Sequence, residues 1–311
     1  MNKVSSDSLG DRMKSYEGLS TSRQLMPNCP VYARIDGRAF HTLCKGLKKP
    51  YSEAFIQTMQ EVCKYLVFET GAILGYVQSD EISLGWTDYS KAPFEGRIQK
   101  LESVLASMAA AKFVQFIEAS KSSSPLIINH GIDMLWHRTQ IHVPSFDCRV
   151  FNLPNECELA NAFLWRENDA IKNSITGMAL HFFSHKDIQG KSGEEKIAMM
   201  KEKGYDFYRD TDEAFMRGTF FHRELYEKEL SQEEVEKILP ERRDEMVELG
   251  QLAYCNFDGH VTYSATRSHI VLMRLPYRLT DTEDLPFVLF HCSAMIECNK
   301  DNPTFVLDVK E

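Results

Sequence analysis

Apolar and polar positions alternate along this chain with two different periods, and the switch between them outlines the fold. Val31 to Ile35 is a short, mostly apolar run that reads as a strand, ended by Asp36-Gly37. Ser52 follows as a helix N-cap. Phe55, Ile56, Met59, Val62, Cys63, Leu66 and Val67 then recur at helical spacing as far as Thr70-Gly71. Ala72 to Gln78 and Ile82 to Trp86 form the arms of a hairpin around Ser79-Asp80-Glu81. In the second arm, Ile82, Leu84 and Trp86 alternate with Ser83 and Gly85, which gives the strand one buried face. Strand, helix and hairpin in this order predict an α+β sandwich.

The remaining segments extend that pattern. Residues 8–18 read as a short helix closed by Gly18, with Leu9, Met13 and Tyr16 on its apolar face. A longer helix is expected from Arg97 to about Ser120, with Ile98, Leu101, Leu105 and Met108 turned inward. Residues 121–140 read as irregular, with Ser122-Ser123-Ser124-Pro125 as a tip. Phe146 to Phe151 reads as a strand and Leu159 to Phe183 as a helix; 190–204 is a charged, helix-forming excursion. Residues 225–250 are strongly charged and predict two solvated helices broken at Pro240. Val261 to Tyr263 and Ile270 to Leu275 are strand-like. The expected division is a catalytic domain over residues 1–223 and a charged helical segment with C-terminal strands over 224–311, packed on the same domain.

Composition narrows the class. The 311 residues are 43% hydrophobic, enough for one large domain or two small ones. No run of 18 apolar residues predicts a membrane span, and the first residues lack the apolar core of a signal peptide. The eight cysteines form no C-x-x-C pair and read as free thiols of a reducing, cytoplasmic compartment. His181 and His185 have i, i+4 spacing but no partnering acid, which fits an ordinary helix face better than zinc. The net charge of −9 argues against an extensive nucleic-acid surface and leaves room for a local basic patch, for which Lys45, Lys48 and Lys49 are candidates.

The candidate chemistry sits in two acidic motifs, Arg34-Ile35-Asp36-Gly37-Arg38 and Gln78-Ser79-Asp80-Glu81. A strand, a helix and a hairpin can bring Asp36 and Asp80 side by side at one sheet edge. Two aspartates on rigid strands, with Gly37 beside the first, suit Mg²⁺, which takes oxygen ligands and completes its shell from water and substrate phosphates. Two such ions would clamp a phosphoryl transfer. Each motif also has a plain structural reading: Asp-Gly is a common turn, and Ser-Asp-Glu a common solvated hairpin loop. Asp147 and Arg149 are two apart and share one strand face; Asp147 is a further candidate acid. Asp169, Lys172 and Asn173 fall on adjoining turns of one helix face. Arg97 and Lys100 lie in one helix turn, where a solvated face is the ordinary reading.

Taken together, Arg34-Ile35-Asp36-Gly37-Arg38-Ala39-Phe40-His41, Lys49-Pro50, Gln78-Ser79-Asp80-Glu81 and Phe146-Asp147-Cys148-Arg149 resemble the tRNA-histidine guanylyltransferase superfamily of 3′-to-5′ RNA polymerases, over roughly residues 10–220. The resemblance implies a polymerase palm-like antiparallel sheet with helices packed on one side. It also implies template-dependent nucleotide addition to the 5′ end of tRNA, as repair or as guanylylation of tRNA-histidine. On this likeness Asp36, Gly37 and Asp80 hold two Mg²⁺, and Glu81 joins the two aspartates as a catalytic acid. Arg34, Arg38, Phe40, His41, Lys49, Ser79, Arg97 and Lys100 bind the nucleotide. Asp147, Asp169, Lys172 and Asn173 contact nucleotide or tRNA. The implied substrates are GTP or another nucleoside triphosphate, with ATP to activate a 5′-monophosphate; the implied partners are tRNA and three further copies of the chain. Eukaryotic members carry a His-Ile-Asn-Asn-Leu-Tyr-Asn signature where this chain has Ile171-Lys172-Asn173-Ser174-Ile175-Thr176-Gly177. That departure is similar to the guanylyltransferase-like branch of bacteria and archaea. Two alternatives stay open: a nucleotidyltransferase or cyclase that needs no RNA, and a non-catalytic RNA-binding protein.

Overall fold

The structure is a computed structural model that describes residues 8–87, 92–123, 130–238, 242, 246, 253–257 and 260–273. In chain order its elements are α1 (Ser8–Thr21), β1 (Val31–Gly37), α2 (Phe40–Leu43), α3 (Glu53–Thr70), β2 (Leu74–Gln78), β3 (Glu81–Trp86), α4 (Ile98–Ser123), α5 (His130–Ile141), β4 (Phe146–Asn152) and α6 (Glu156–Phe182). Four helices, α7 (His185–Ile188), α8 (Gly193–Glu202), α9 (Phe207–Asp210) and α10 (Glu213–Arg217), lead to β5 (Thr219–Glu229), α11 (Gln232–Glu236), β6 (Ala253–Phe257) and β7 (His260–Met273). The strands form one antiparallel sheet in the order β4-β1-β3-β2-β5-β7-β6.

Strand alternation divides this sheet into two chemically different faces. On one face, Val31, Ala33, Ile35, Val77, Ile82, Leu84, Trp86 and Val150 join the apolar stripes of α3, α4 and α5 in the main core. On the other, Tyr32, Leu74, Tyr76 and Phe220 meet Leu159, Ala160, Phe163 and Ala170 of α6. The α+β palm-type sheet read from the sequence is present, and α6 adds a second layer on the face opposite α3 and α4. Toward the strand ends this second face turns polar at Arg34, Asp36 and Glu81, the last held by Arg166 of α6. The far half of α6 makes its own core with α8, α9 and α10.

Several local expectations are corrected. Of residues 121–140, read as irregular, 121–123 end α4 and 130–140 lie in α5, whose Ile132 and Leu135 are buried against the main core. Pro125 of the expected tip lies outside the described residues. The first helix continues through Gly18 to Thr21, and its Leu9, Met13 and Tyr16 are exposed. In the charged stretch after 225, β5 runs on to Glu229 and the short α11 follows; Arg242 and Met246 are helical, and Pro240 lies outside the described residues. The charged side chains there misled the reading because β5 is set by its pairing with β7, which runs unbroken from His260 to Met273. Leu275 lies outside the described residues. β5 crosses residue 223 without a break, and β7 and β6 extend the same sheet.

Contact between β2 and α3 depends on Gly75. A Cβ there would stand 2.3 Å from Val67 Cγ2 and 2.9 Å from Cys63 Sγ, both buried. Gly75→Ala is therefore expected to force α3 off the sheet and to cost about 1–3 kcal/mol of stability, read as a lowered denaturation midpoint.

Candidate active site

β1 delivers the first acid and the β2–β3 hairpin the second. β1 lies between β3 and β4 with Asp36 opposite both Glu81 and Asp147, so the three carboxylates form a row on the α6-side face. One step back, Arg34 stands opposite Ser83 and Arg149. The hairpin turns through only Ser79 and Asp80, with Ser79 in the left-handed region at φ 53°. The Gly37 N–H donates to the Asp80 carbonyl at 2.9 Å, which ties the end of β1 to the hairpin tip. That approach requires glycine, because a Cβ at position 37 would lie 2.9 Å from the Asp80 Cβ and 2.5 Å from the Phe40 ring. Ala39, immediately after, is also left-handed at φ 57°. Two non-glycine residues in this sparsely populated region at one site mark a backbone held by its surroundings.

Beside the tip opens a cavity of about 290 Å³, lined among others by Phe40, His41, Lys48, Lys49, Ser79 and Asp80, and by Phe215 of α10. The structure thus brings together five of the expected site residues, Phe40, His41, Lys49, Ser79 and Asp80, and sets Asp36 and Gly37 next to them. Phe40 contributes as a buried floor packed on Phe55, Phe113 and Phe146. Arg38 is exposed, its N–H donating to the Ser145 carbonyl. Arg97 and Lys100 are elsewhere. The backbone around Arg97 bonds to residues 23–25, and Met26 N–H donates to Asn152, which is paired with Val31 at the opposite end of β1. From Val31 to Asp36 is about 17 Å at the usual strand rise, so these two cations do not reach the cavity of their own chain.

Electrostatics separate the acids. Burial, reinforced by the charge of Asp36, pushes the Asp80 carboxyl above the ordinary carboxylate range, with hydrogen bonds opposing. Glu81 is also pushed up by burial, but it has partners. Arg166 of α6 grips both its oxygens, one at 3.0 Å, and Arg34 lies 3.8 Å away. Arg166 also donates to Asp169 at 3.2 Å. Asp147 is exposed and sits 3.9 Å from Arg149. Lys172 and Asn173 are exposed one turn beyond Asp169. Sequence reasoning gave no role to Arg166, Glu167 or Arg217. Glu167 and Arg217 form a buried pair, Arg217 Nε donating at 2.8 Å, that ties α6 to the end of α10, two residues before β5. An arginine and a glutamate inside an amphipathic helix were the available signal, and nothing local distinguishes such a pair from a solvated one.

The pair Asp36 and Asp80 fits a magnesium site. The two carboxylates are close enough for the charge of Asp36 to act on Asp80, neither forms a salt bridge among the described residues as Glu81 does with Arg166, and the Asp80 carboxyl is perturbed in the direction that a bound cation would relieve. Among the described residues no group of three acids, histidines or cysteines could hold a metal unaided. That suits Mg²⁺, which keeps several waters and takes phosphate oxygens.

Comparison with known proteins places this geometry. A family model described as tRNAHis guanylyltransferase matches residues 10–154. The solved structure of a bacterial tRNA(His) guanylyltransferase-like protein in complex with ATP is 38% identical, with a TM-score of 0.58 over 69% of this chain and 88% of the other. A structure of such a bacterial protein in complex with GTP is 35% identical, with a TM-score of 0.55 over 71% and 87%. The tRNA(His) guanylyltransferase of Schizosaccharomyces pombe is 25% identical over 76% of this chain and 87% of its own. A palm-type sheet with paired acids at a hairpin tip and these relatives make the chain a nucleotidyltransferase. Within that class it belongs to the tRNA(His) guanylyltransferase family.

Two outcomes test the electrostatic account. Arg166→Met leaves half-buried Glu81 with Arg34 alone as a partner, 3.8 Å away, and is expected to cost about 1–3 kcal/mol in chemical denaturation, most of it recovered in Arg166→Met/Glu81→Met. An acid whose carboxyl is raised by folding binds more protons folded than unfolded, so its contribution to stability falls as pH rises from the ordinary carboxylate range toward the raised value. In metal-free protein, Asp80→Asn should therefore flatten the pH dependence of the Tm above pH 4 and raise the Tm at neutral pH.

Proposed function

We propose that this protein adds nucleotides to the 5′ end of tRNA in the 3′-to-5′ direction, copying the opposing base, with two Mg²⁺ ions held by Asp36, the Gly37 carbonyl and Asp80. The observation that carries the reading is the junction of Gly37 with the Asp80 turn. It places two aspartates beside a cavity of nucleotide size that also presents Lys49, His41 and Ser79. The relatives solved with ATP and with GTP support a nucleoside triphosphate as occupant.

In this reaction the 3′-hydroxyl oxygen of the incoming nucleotide forms a bond to the 5′ α-phosphorus of the RNA. The bond from that phosphorus to the departing pyrophosphate, or to AMP when ATP has activated a monophosphate, breaks, and the hydroxyl proton passes to solvent. Bound Mg²⁺ would lower the pKa of the attacking hydroxyl and offset charge on the leaving group. The chain supplies position and charge. Lys49 neutralises triphosphate oxygens. His41 and Ser79 donate hydrogen bonds to phosphate or ribose. Asp36 and Asp80 are held by the strand pairing and the Gly37 bond, so they need no rearrangement. Arg166 keeps Glu81 turned toward α6, which makes Glu81 a neighbour of the ion site. Arg97 and Lys100 would serve the same triphosphate only from another copy of the chain, in keeping with a tetramer. The free thiols among the described residues suit a reducing cytoplasm.

The experiment is a 5′-extension assay with Mg²⁺, all four nucleoside triphosphates and two 5′-triphosphorylated tRNAs. One is a histidine tRNA lacking its extra guanosine, the other a different tRNA missing its first nucleotide. Restoration of the paired nucleotide on the second is expected, and Asp36→Ala should reduce it at least a thousandfold at unchanged Tm. No extension of either tRNA would overturn the proposal; extension of the histidine tRNA alone would replace repair with dedicated guanylylation.

A further inference from the structure

The α6-side face carries a feature that the cavity does not use. Trp165 is 51% exposed on α6, between the half-buried Leu164 and Arg166. The guanidinium carbon of Arg34 is 5.6 Å from its ring centroid and that of Arg166 is 4.7 Å away. Arg166 is fixed in turn by both oxygens of Glu81 and by Asp169, so the indole rests on an immobilised support. The surface continues across β4, the edge strand of the sheet. Arg149 stands opposite Arg34 with 59% of its side chain exposed, and Phe151 stands opposite Tyr32 at 39% exposure, with the two rings 5.5 Å apart. The other two tryptophans differ. Trp86 is fully buried and donates to the Thr70 carbonyl, and Trp136 donates to Glu118 and lies under Lys121.

We infer that Trp165, Arg34, Arg149 and Phe151 form a stacking platform for the 5′-terminal nucleotides of the RNA acceptor. The inference rests on the nucleotide-addition reading for the identity of that RNA. Exposed aromatic rings interleaved with arginines bind nucleobases by stacking and phosphates by guanidinium pairing. The acids on this face do not oppose an RNA backbone evenly. Glu81 and Asp169 are held by Arg166, Asp147 lies beside Arg149, and Asp36 belongs to the ion site. Position also separates the two substrates. The cavity is bounded by the segment 40–56 and α10, and has room for one nucleotide. The platform is an open face that leads to a sheet edge, where a polymer can run on. Arg34 is two residues from Asp36, about 7 Å along the strand. A nucleotide whose base lies on Trp165 therefore brings its phosphate to the acid pair from the side opposite the cavity, as a transfer between two substrates requires.

The test uses the whole chain without Mg²⁺ and an acceptor-stem hairpin RNA with a 5′-triphosphate, read by tryptophan fluorescence. Stacking on Trp165 is expected to quench the emission. The quench should disappear in Trp165→Leu and shrink when the 5′-terminal residue is abasic. Trp165→Leu should weaken hairpin binding about tenfold or more, and raise the KM for RNA without moving the KM for the nucleoside triphosphate. Trp165→Phe should retain most of the affinity, with an unchanged Tm confirming that both variants fold. Unchanged RNA affinity in Trp165→Leu would overturn the platform. So would an equal quench by GTP alone, which would make this a mononucleotide site, or loss of self-association in Trp165→Leu at unchanged RNA affinity, which would make it a protein interface. If the hairpin quenches Trp165 but is never extended, the platform stands and the nucleotide-addition reading fails.

Discussion

The structure turns on one hydrogen bond, from the Gly37 N–H to the Asp80 carbonyl. It joins the last residue of β1 to the tip of a hairpin reached only after α3 and β2 have been laid down. The bond is possible because position 37 carries no Cβ. With it, the backbone holds the second aspartate beside the first, and local hydrogen bonds from Ser79 and the Asp80 N–H orient its carboxylate. The left-handed turn at Ser79 and the left-handed Ala39 are the conformational cost of that junction. The extended pairing of β1 with β3 and β4 offsets it.

Around this junction the two faces of the sheet divide the work. The α3 and α4 face is apolar along β1 and β3 and supplies the core. The other face is apolar under the first half of α6 and becomes ionic where the strands end. Because each β1 side chain alternates between the faces, the core residues Val31, Ala33 and Ile35 hold Tyr32, Arg34 and Asp36 in place on the opposite side. Helix α6 closes the arrangement from above. Arg166 ties it to the hairpin through Glu81, and Glu167 ties it to α10 through Arg217. Two adjacent residues of one turn thus fasten the helix to two different elements, a strand and a helix.

The sequence revealed what depends on local pattern. The alternation of Ile82, Leu84 and Trp86 showed the buried face of β3, and the stripe from Phe55 to Val67 showed α3. The pairing of Asp36 with Asp80 was legible because glycine and serine beside the acids are turn chemistry. What depends on distant partners was not. α5 buries only Ile132 and Leu135 of its twelve residues, too narrow a stripe to stand out from its surroundings. β5 keeps charged residues along its length, and its strand character comes from β7, some forty residues further on. The remoteness of Arg97 from the cavity is a matter of which end of the sheet α4 starts from, and periodicity does not record that.

The placement of Gly37 has a bearing on how this protein fails. Sliding β1 by one residue against its neighbours would turn Asp36 into the apolar core and would put a side chain where only glycine fits. The same contact therefore checks the assembly of the sheet and the assembly of the acid pair. A chain that has folded has its two aspartates in place, and a chain without them has not closed its sheet. Loss of activity through misassembly should thus appear as loss of soluble protein, leaving no reservoir of well-folded but inert molecules.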